Sequence, residues 1–362
     1  MIKNLNLYKN SFDYYTELRV QENRSLRLGL LNGNLVSNDQ SAESGVSSRV
    51  FKDGSWGFSS NAQITDASIN RVIKSSSENV SFLNKMNQSK CGIILPEETY
   101  NYDLNLSTKK NKNQNTYWID FIKDLDNYIK KKYKQISSRR IFISNLDMEK
   151  NLITSSGSES YSLTPRSLLY IILTIDINNN PVELMDVFGG LGQLEDNFEN
   201  VEPFYTKIDN LVEKLNQKSK GVYAKAGTHD VVLDADLAGI LAHEAIGHTT
   251  EADLVLGGSV AGDFLNKPVA AELVTLIDYA NTMDNNICPV PVFVDDEGTK
   301  AKDVKIIDKG ILKKYMHNKD SANVLSMNLT GNARAYRFSD EPLIRMGNTA
   351  IRPGDDKLAD MI

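Results

Sequence analysis

The chain has 362 residues, 41% of them hydrophobic and 24% charged, with a formal net charge of −6. This is ordinary globular composition, long enough for two domains, and its acidic balance disfavours nucleic acid as the main partner, because phosphate contacts need concentrated Lys and Arg. Two cysteines, Cys91 and Cys288, leave no disulfide framework, and no apolar run reaches signal-peptide or membrane-span length; a cytoplasmic chain without membrane contact is the expectation.

In chain order, alternation at Glu17–Val20 and Ser25–Leu30 reads as strand, and Asn32-Gly33 as a hairpin turn. Asp53-Gly54 predicts a second hairpin between Val50-Phe51 and Trp56-Gly57-Phe58. Asp66 is expected to cap a helix through Ile69, Val72 and Ile73. Residues 105–117 are polar and read as a loop. A helix follows, with Trp118, Ile122, Leu125, Ile129, Tyr133 and Ile136 at steps of three or four. The run Leu168–Leu173 predicts a buried strand, and strands are also expected at 141–143, 167–177 and 182–188. The spacing of Ile208, Leu211, Val212 and Leu215 predicts another amphipathic helix, stopped by Lys218-Ser219-Lys220-Gly221. Gly189-Gly190-Leu191-Gly192 lacks the spacing of a nucleotide loop and reads as a flexible turn.

The domain boundary is placed after residue 220. Beyond it, Asp230–Leu233 predicts a strand and Asp234-Ala235-Asp236 a helix cap, with strands at 289–294, 303–307 and 311–316 and a turn at Lys309-Gly310. His229 and His317 read as surface residues beside strands, and Gly257-Gly258-Ser259 as an ordinary connection.

The informative cluster is His243-Glu244-Ala245-Ile246-Gly247-His248, an HExxxH pattern in a chain with four histidines. Such a pattern arises by chance in roughly 0.006 of chains like this one. Two neutral imidazoles suit a divalent transition metal, with Glu244 as the base for a metal-activated water; two unrelated histidines beside a solvated carboxylate are the bland alternative. On a regular helix, residues five apart point about 140° away from each other. Convergence therefore needs an extra residue in one turn or a helix end, and Gly247 is expected to make either easier by relaxing the backbone. Glu251 and Asp253 are candidates for a third ligand, for carboxylates that orient an imidazole, or for a solvated acidic turn.

From residue 230 onward the chain resembles the TldD subunit of the TldD/PmbA family of metallopeptidases, also called modulators of DNA gyrase. The resemblance rests on Asp230–Leu233, the HEAIGH element with Glu251-Ala252-Asp253, Phe293–Thr299, Asn328–Arg334, and Arg345–Thr349 followed by Pro353-Gly354-Asp355. A looser similarity covers the first half, at Arg49-Val50 and Trp56-Gly57-Phe58.

The resemblance implies His243 and His248 as ligands of Zn2+ or another divalent transition metal, and Glu244 as catalytic base. It also implies peptides or unfolded segments as substrate, and a paralogous PmbA-like subunit, or a second copy of this chain, as partner. Members of the family carry a cysteine ligand in a Gly-rich segment beyond the position matching Ile362, which neither Cys91 nor Cys288 replaces. The metallopeptidase part is therefore expected to be incomplete at its C-terminus, with apolar surface uncovered. The fold class expected is α+β: an N-terminal α/β domain over 1–220 and a β-rich metallopeptidase domain over 221–362 carrying the HExxxH helix. The alternative to a peptidase is a non-catalytic subunit of a TldD/PmbA-type assembly; direct binding of gyrase rests on the family's name alone.

Overall fold

The computed structural model describes residues 4–86 and 95–357; Cys91 lies outside the described residues. After a 3₁₀ turn over Leu5–Ser11 come β1 (Tyr15–Leu31), β2 (Asn34–Lys52) and β3 (Ser55–Asn61), joined by two tight hairpins. Asn32 and Gly33 both take positive φ, 51° and 85°. That geometry matches the right-handed twist of the flanking strands and is why Asn-Gly serves there.

Helix α1 spans Asp66–Met86, β4 Asn101–Asn105 and α2 Asn115–Lys132. Thr65, and not Asp66, caps α1: its Oγ1 accepts from the Ser68 N–H at 3.1 Å, while Asp66 accepts from the Tyr8 hydroxyl. The α2 periodicity holds as far as Ile129; Tyr133 closes the helix, and Ile136 already opens β5 (Ile136–Thr154). Strands β6 (Glu159–Ile177) and β7 (Asn180–Leu191) follow, then α3 (Leu194–Asn197) and α4 (Glu202–Ser219). The Gly189–Leu191 segment is the paired end of β7 and no turn, with Gly189 opposite Leu168.

These strands make a seven-stranded sheet in the order β3-β2-β1-β5-β6-β4, with β7 also paired to β6. Because strand side chains alternate, the sheet has two different faces. One carries Leu28, Leu30, Ile141, Ile143, Leu169, Ile171 and Leu173, all buried under α2 and α4. Leu18, Val20 and Val46 continue this face under α1. Each such side chain contributes about 1.5–3 kcal/mol by leaving water. The run Leu168–Leu173 is therefore buried on one side only; Leu168, Tyr170 and Ile172 are half-exposed.

On the other face β1 buries Glu17, Arg19, Gln21 and Asn23. They meet a segment from the second half of the chain. Gln21 and Asn23 donate to the Tyr336 carbonyl at 2.6 and 2.8 Å, and Arg19 donates to the Asp340 carbonyl at 2.8 Å. Asp296 receives Lys150 at 2.6 Å and Arg19 at 3.4 Å, and Arg49 pairs with Glu297 at 2.5 Å and Glu17 at 3.5 Å. Burial holds the Glu17 carboxyl up at about 7, against the pull of Arg49. Burial opposes the charge on Asp296 too, but Lys150 and Arg19 more than offset it and keep its pKa below the usual range.

The second half holds α5 (Ala235–Leu241), a π-helical turn over Ala242–Gly247, α6 (Ala252–Leu256) and β8 (Leu276–Tyr279). The short pair β9 (Thr282–Met283) and β10 (Asn286–Ile287) follows, then β11 (Val304–Asp308), β12 (Ile311–Leu312), α7 (Lys319–Val324), another short pair, β13 (Ala333–Arg334) and β14 (Leu343–Ile344), and β15 (Asn348–Ile351). A four-stranded sheet runs β12-β11-β8-β15. Its core gathers Leu276, Val304, Ile306, Ile307, Tyr315 and Met316. Helices and sheets throughout make the chain an α+β protein.

Two predicted strands do not form. Residues 230–233 and 289–294 have no strand partner beyond an isolated bridge from Val294 to Lys300. Val231 is 72% exposed, so its branched side chain has no sheet surface to pack on. The 311–316 strand stops at Leu312 and resumes only as a bridge from Met316 to Glu251. His317 is buried and not on the surface: its ring lies 3.1 Å from the Ser321 hydroxyl, and burial lowers its pKa to about 4. His229 is exposed, but no strand follows it. No helix among the described residues is long and apolar enough to cross a membrane.

Candidate metal centre

Asp234 opens the site's helix, its carboxylate accepting the Leu237 N–H at 2.9 Å. This satisfies one of the free N–H groups at the start of α5. After the seven residues of α5 the helix widens, and the His248 N–H donates to the His243 carbonyl, five residues back. An i→i+5 turn takes in the extra residue that a regular helix would rotate away, so residues five apart come to lie over one another. The His243 and His248 ring centroids are 4.8 Å apart, with ring planes at 79°. One ligand-competent atom from each of His243, Glu244 and His248 falls within 4.8 Å of the other two.

Gly247 has φ −55° and ψ −61°, an ordinary helical conformation that any residue adopts. The expected backbone relaxation is therefore not its role. A Cβ built on it would meet the Met346 sulfur at 2.0 Å. The end of the Met346 side chain, beside β15, occupies the space that a side chain at this position would take, so a larger residue here requires Met346 to move.

Hydroxyl groups secure the turn's last carbonyls. Thr249 donates to Ala245 and Ile246, and Thr250 donates to Ile246 and Gly247, at 2.8–3.1 Å. On the inner side Ala242 is buried in the core of the four-stranded sheet and Ile246 packs against it. His243 and Glu244 project outward and are exposed; His248 is half-buried.

Glu251 and Asp253 separate clearly. Asp253 is half-buried and accepts the N–H of Leu254. Glu251 is 2% exposed, with Oε1 3.5 Å from His248 Nδ1. Burial raises its carboxyl above the usual range, opposed by His248. Its ligand atoms do not join the His243, Glu244 and His248 group. Cys288 is a buried free thiol packed against Ile277 and Tyr279.

In the segment leading to the site's helix, and on that helix, the apolar side chains of Val222, Tyr223, Val231, Val232, Leu237 and Ile240 are exposed.

Two family models match the chain: the PmbA/TldA metallopeptidase C-terminal domain over residues 226–362, and PmbA/TldA metallopeptidase domain 1 over 16–80. A metalloprotease of Methanocaldococcus jannaschii is 30% identical over 347 residues, covering 94% of this chain and 74% of its own length. The metalloprotease TldD homolog of Buchnera aphidicola from Schizaphis graminum is 31% identical, covering 97% of this chain and 71% of its own. The zinc metalloprotease TldD homolog of Saccharolobus solfataricus is 29% identical over 88% of this chain and 68% of its own. Among solved structures, a Thermotoga maritima protein named for modulation of a DNA gyrase superposes with a TM-score of 0.73 at 17% identity, over 98% of this chain and 77% of that one. TldE from Thermococcus kodakarensis superposes with a TM-score of 0.69 at 16% identity, over 99% and 78%. These last two are likenesses of fold. The sequence relatives and the family models place the chain in the PmbA/TldD family of metallopeptidases.

Proposed function

We propose that the chain hydrolyses peptide bonds at a site for a divalent cation of the zinc type, held by His243 and His248, with Glu244 as general base. The observation that carries this reading is the convergence of these three side chains, within 4.8 Å of one another, on a π-turn. The donor set fits the cation: two imidazoles and a nearby carboxylate are the chemistry of catalytic zinc sites. A buried Glu251 oxygen with no hydrogen-bond partner stands beside His248, as carboxylates do behind metal-binding imidazoles. The relatives' names support the activity, and that of Saccharolobus solfataricus names zinc.

A cation bound there supplies a polarised peptide carbonyl and an acidified water. The chain's own residues do the rest. His243 and His248 give it two neutral nitrogen donors. Glu244, exposed beside them, takes the water proton and delivers it to the leaving amine. The outward position of His243 and Glu244 leaves room for an extended peptide, the substrate class we propose. We assign residues 1–220 and 221–362 to two domains, supported by their separate apolar cores. A PmbA-like subunit or a second copy is the proposed partner, and the cytoplasm the proposed location.

One observation favours a second reading, a non-catalytic subunit of a two-subunit assembly. Among the described residues, the converging group offers two imidazoles and Glu244, whereas a catalytic zinc takes three protein ligands. A single experiment separates the readings: zinc content and cleavage of unfolded casein by the purified chain, with chelator, with zinc restored, and in Glu244→Gln. The peptidase reading predicts cleavage that chelator abolishes and zinc restores, and a fall of about 10²–10⁴-fold in a variant that keeps its zinc. Absence of both zinc and cleavage in the wild-type chain supports the subunit reading. Full activity in Glu244→Gln removes its role as base.

A further inference from the structure

Glu251 is the most informative residue near the site that the proposed chemistry does not use. It directly precedes α6, where a carboxylate commonly caps the helix, yet its side chain makes no cap hydrogen bond. Its Oε1 is fully shielded from solvent and has no hydrogen-bond partner. The backbone around it is tied down: Ala252 N–H donates to the Met316 carbonyl at 3.0 Å, and Met316 N–H donates to the Thr250 carbonyl at 3.0 Å. This bridge fixes where the carboxylate points. An unanswered buried oxygen costs stability, and the polar group facing it is His248 Nδ1, at 3.5 Å. The other charges that act on Glu251 are Asp253 and Arg345, of opposite sign.

An imidazole has two nitrogens, and one that binds a metal through the first donates its remaining N–H through the second. With Nδ1 facing Glu251, Nε2 is the nitrogen left for the cation. We propose that Glu251 is a positioning residue for His248: its buried carboxylate accepts the Nδ1–H, fixing the tautomer and ring orientation in which Nε2 serves as a cation ligand. The separation of 3.5 Å exceeds a formed hydrogen bond, so the ring and the carboxylate must draw together for the bond to form. Glu251 lies behind the imidazole and outside the converging ligand atoms, which distinguishes it from a ligand. This inference rests on the metal-site reading above.

The test uses the full chain and two probes, zinc and cobalt(II). Zinc affinity is measured by chelator competition, the visible cobalt spectrum reports ligand geometry, and thermal unfolding of the metal-free protein reports the fold. Compared are the wild type, Glu251→Gln, Glu251→Asp and Asp253→Asn. Glu251→Gln is expected to weaken zinc by about 10–100-fold and to shift the cobalt bands, with the metal-free melting temperature unchanged. Asp253→Asn is expected to match the wild type, and Glu251→Asp, which keeps the charge, to recover part of the affinity. Unchanged affinity and cobalt bands in Glu251→Gln overturn the proposal. A loss beyond about 10³-fold also overturns it, because Glu251 would then be a ligand. If the wild-type chain binds neither metal, the metal-site reading itself fails, and this inference with it.

Discussion

Two groups of buried carboxylates meet opposite fates in this molecule. At the junction of the sheet with the second half of the chain, Asp295, Asp296 and Glu297 are almost fully buried and each is answered. Asp295 accepts the N–H groups of Glu297, Thr299 and Ala333 at 2.8–3.1 Å; Asp296 holds Lys150 and the Ala335 N–H; Glu297 holds Arg49 and the Lys319 N–H. At the candidate metal centre, Glu251 is buried as deeply, but its Oε1 has no hydrogen bond and only His248 opposite. Burying a charge is tolerated when it is paired. Glu17 Oε2 at the junction also lacks a hydrogen bond, but it faces the permanent charge of Arg49 at 3.5 Å; Glu251 faces only an imidazole, and that is where we place a functional role.

The largest test of this contrast is Asp296→Ala, which strands both Lys150 and Arg19 in a buried setting. A loss of about 3–5 kcal/mol in stability is expected, read from urea unfolding. Glu251→Gln, by contrast, should leave the metal-free chain as stable as before. Equal losses in the two variants would erase the distinction.

His317 gives a third case, a buried ionisable group kept neutral. Its pKa falls from 6.5 to about 4 on folding. Above pH 6.5 neither state binds the proton, and His317 contributes nothing to pH dependence. Between pH 6.5 and 4 the unfolded chain takes up a proton that the folded chain refuses, so stability falls as pH falls. The full penalty is about 3 kcal/mol. In His317→Gln, the stability difference between pH 7 and pH 4 should shrink by that amount; an unchanged slope would place the acid sensitivity elsewhere.

The smallest effect concerns the turn itself. Gly247→Ala drives a methyl group into Met346 and should cost about 1–3 kcal/mol by overpacking, visible in thermal unfolding. Gly247→Ala with Met346→Ala should recover part of the loss. If the single variant is as stable as the wild type, Met346 is not what requires the glycine.

Local chemistry made much of this fold readable. Asn32-Gly33, Asp53-Gly54 and Lys309-Gly310 form the expected turns, each with positive φ at both positions. The apolar spacing located α2 and α4, and Asp234 caps α5. What failed depended on partners far away in sequence. Asp230–Leu233 has strand composition but no strand beside it. His317 looks like a surface residue until α7 and Thr330 close over it. The acidic 295–297 segment gives no local sign that Arg19, Arg49 and Lys150 wait on another sheet face. At the site, the five-residue spacing of the histidines pointed to a widened turn or a helix end, and the structure has the widened turn. The close approach of Met346 to Gly247 was not legible, because the two are remote in sequence. Glu251 was visible only as one of two acidic candidates; its burial separates it from Asp253.

The central claim is that His243 and His248 share one cation. X-ray absorption at the zinc edge on the zinc-loaded chain measures this directly. The account predicts one zinc per chain with two imidazole nitrogens at about 2.0–2.1 Å, and loss of that signal in His243→Ala. No stoichiometric zinc, or zinc retained with a single imidazole in its shell, would contradict it.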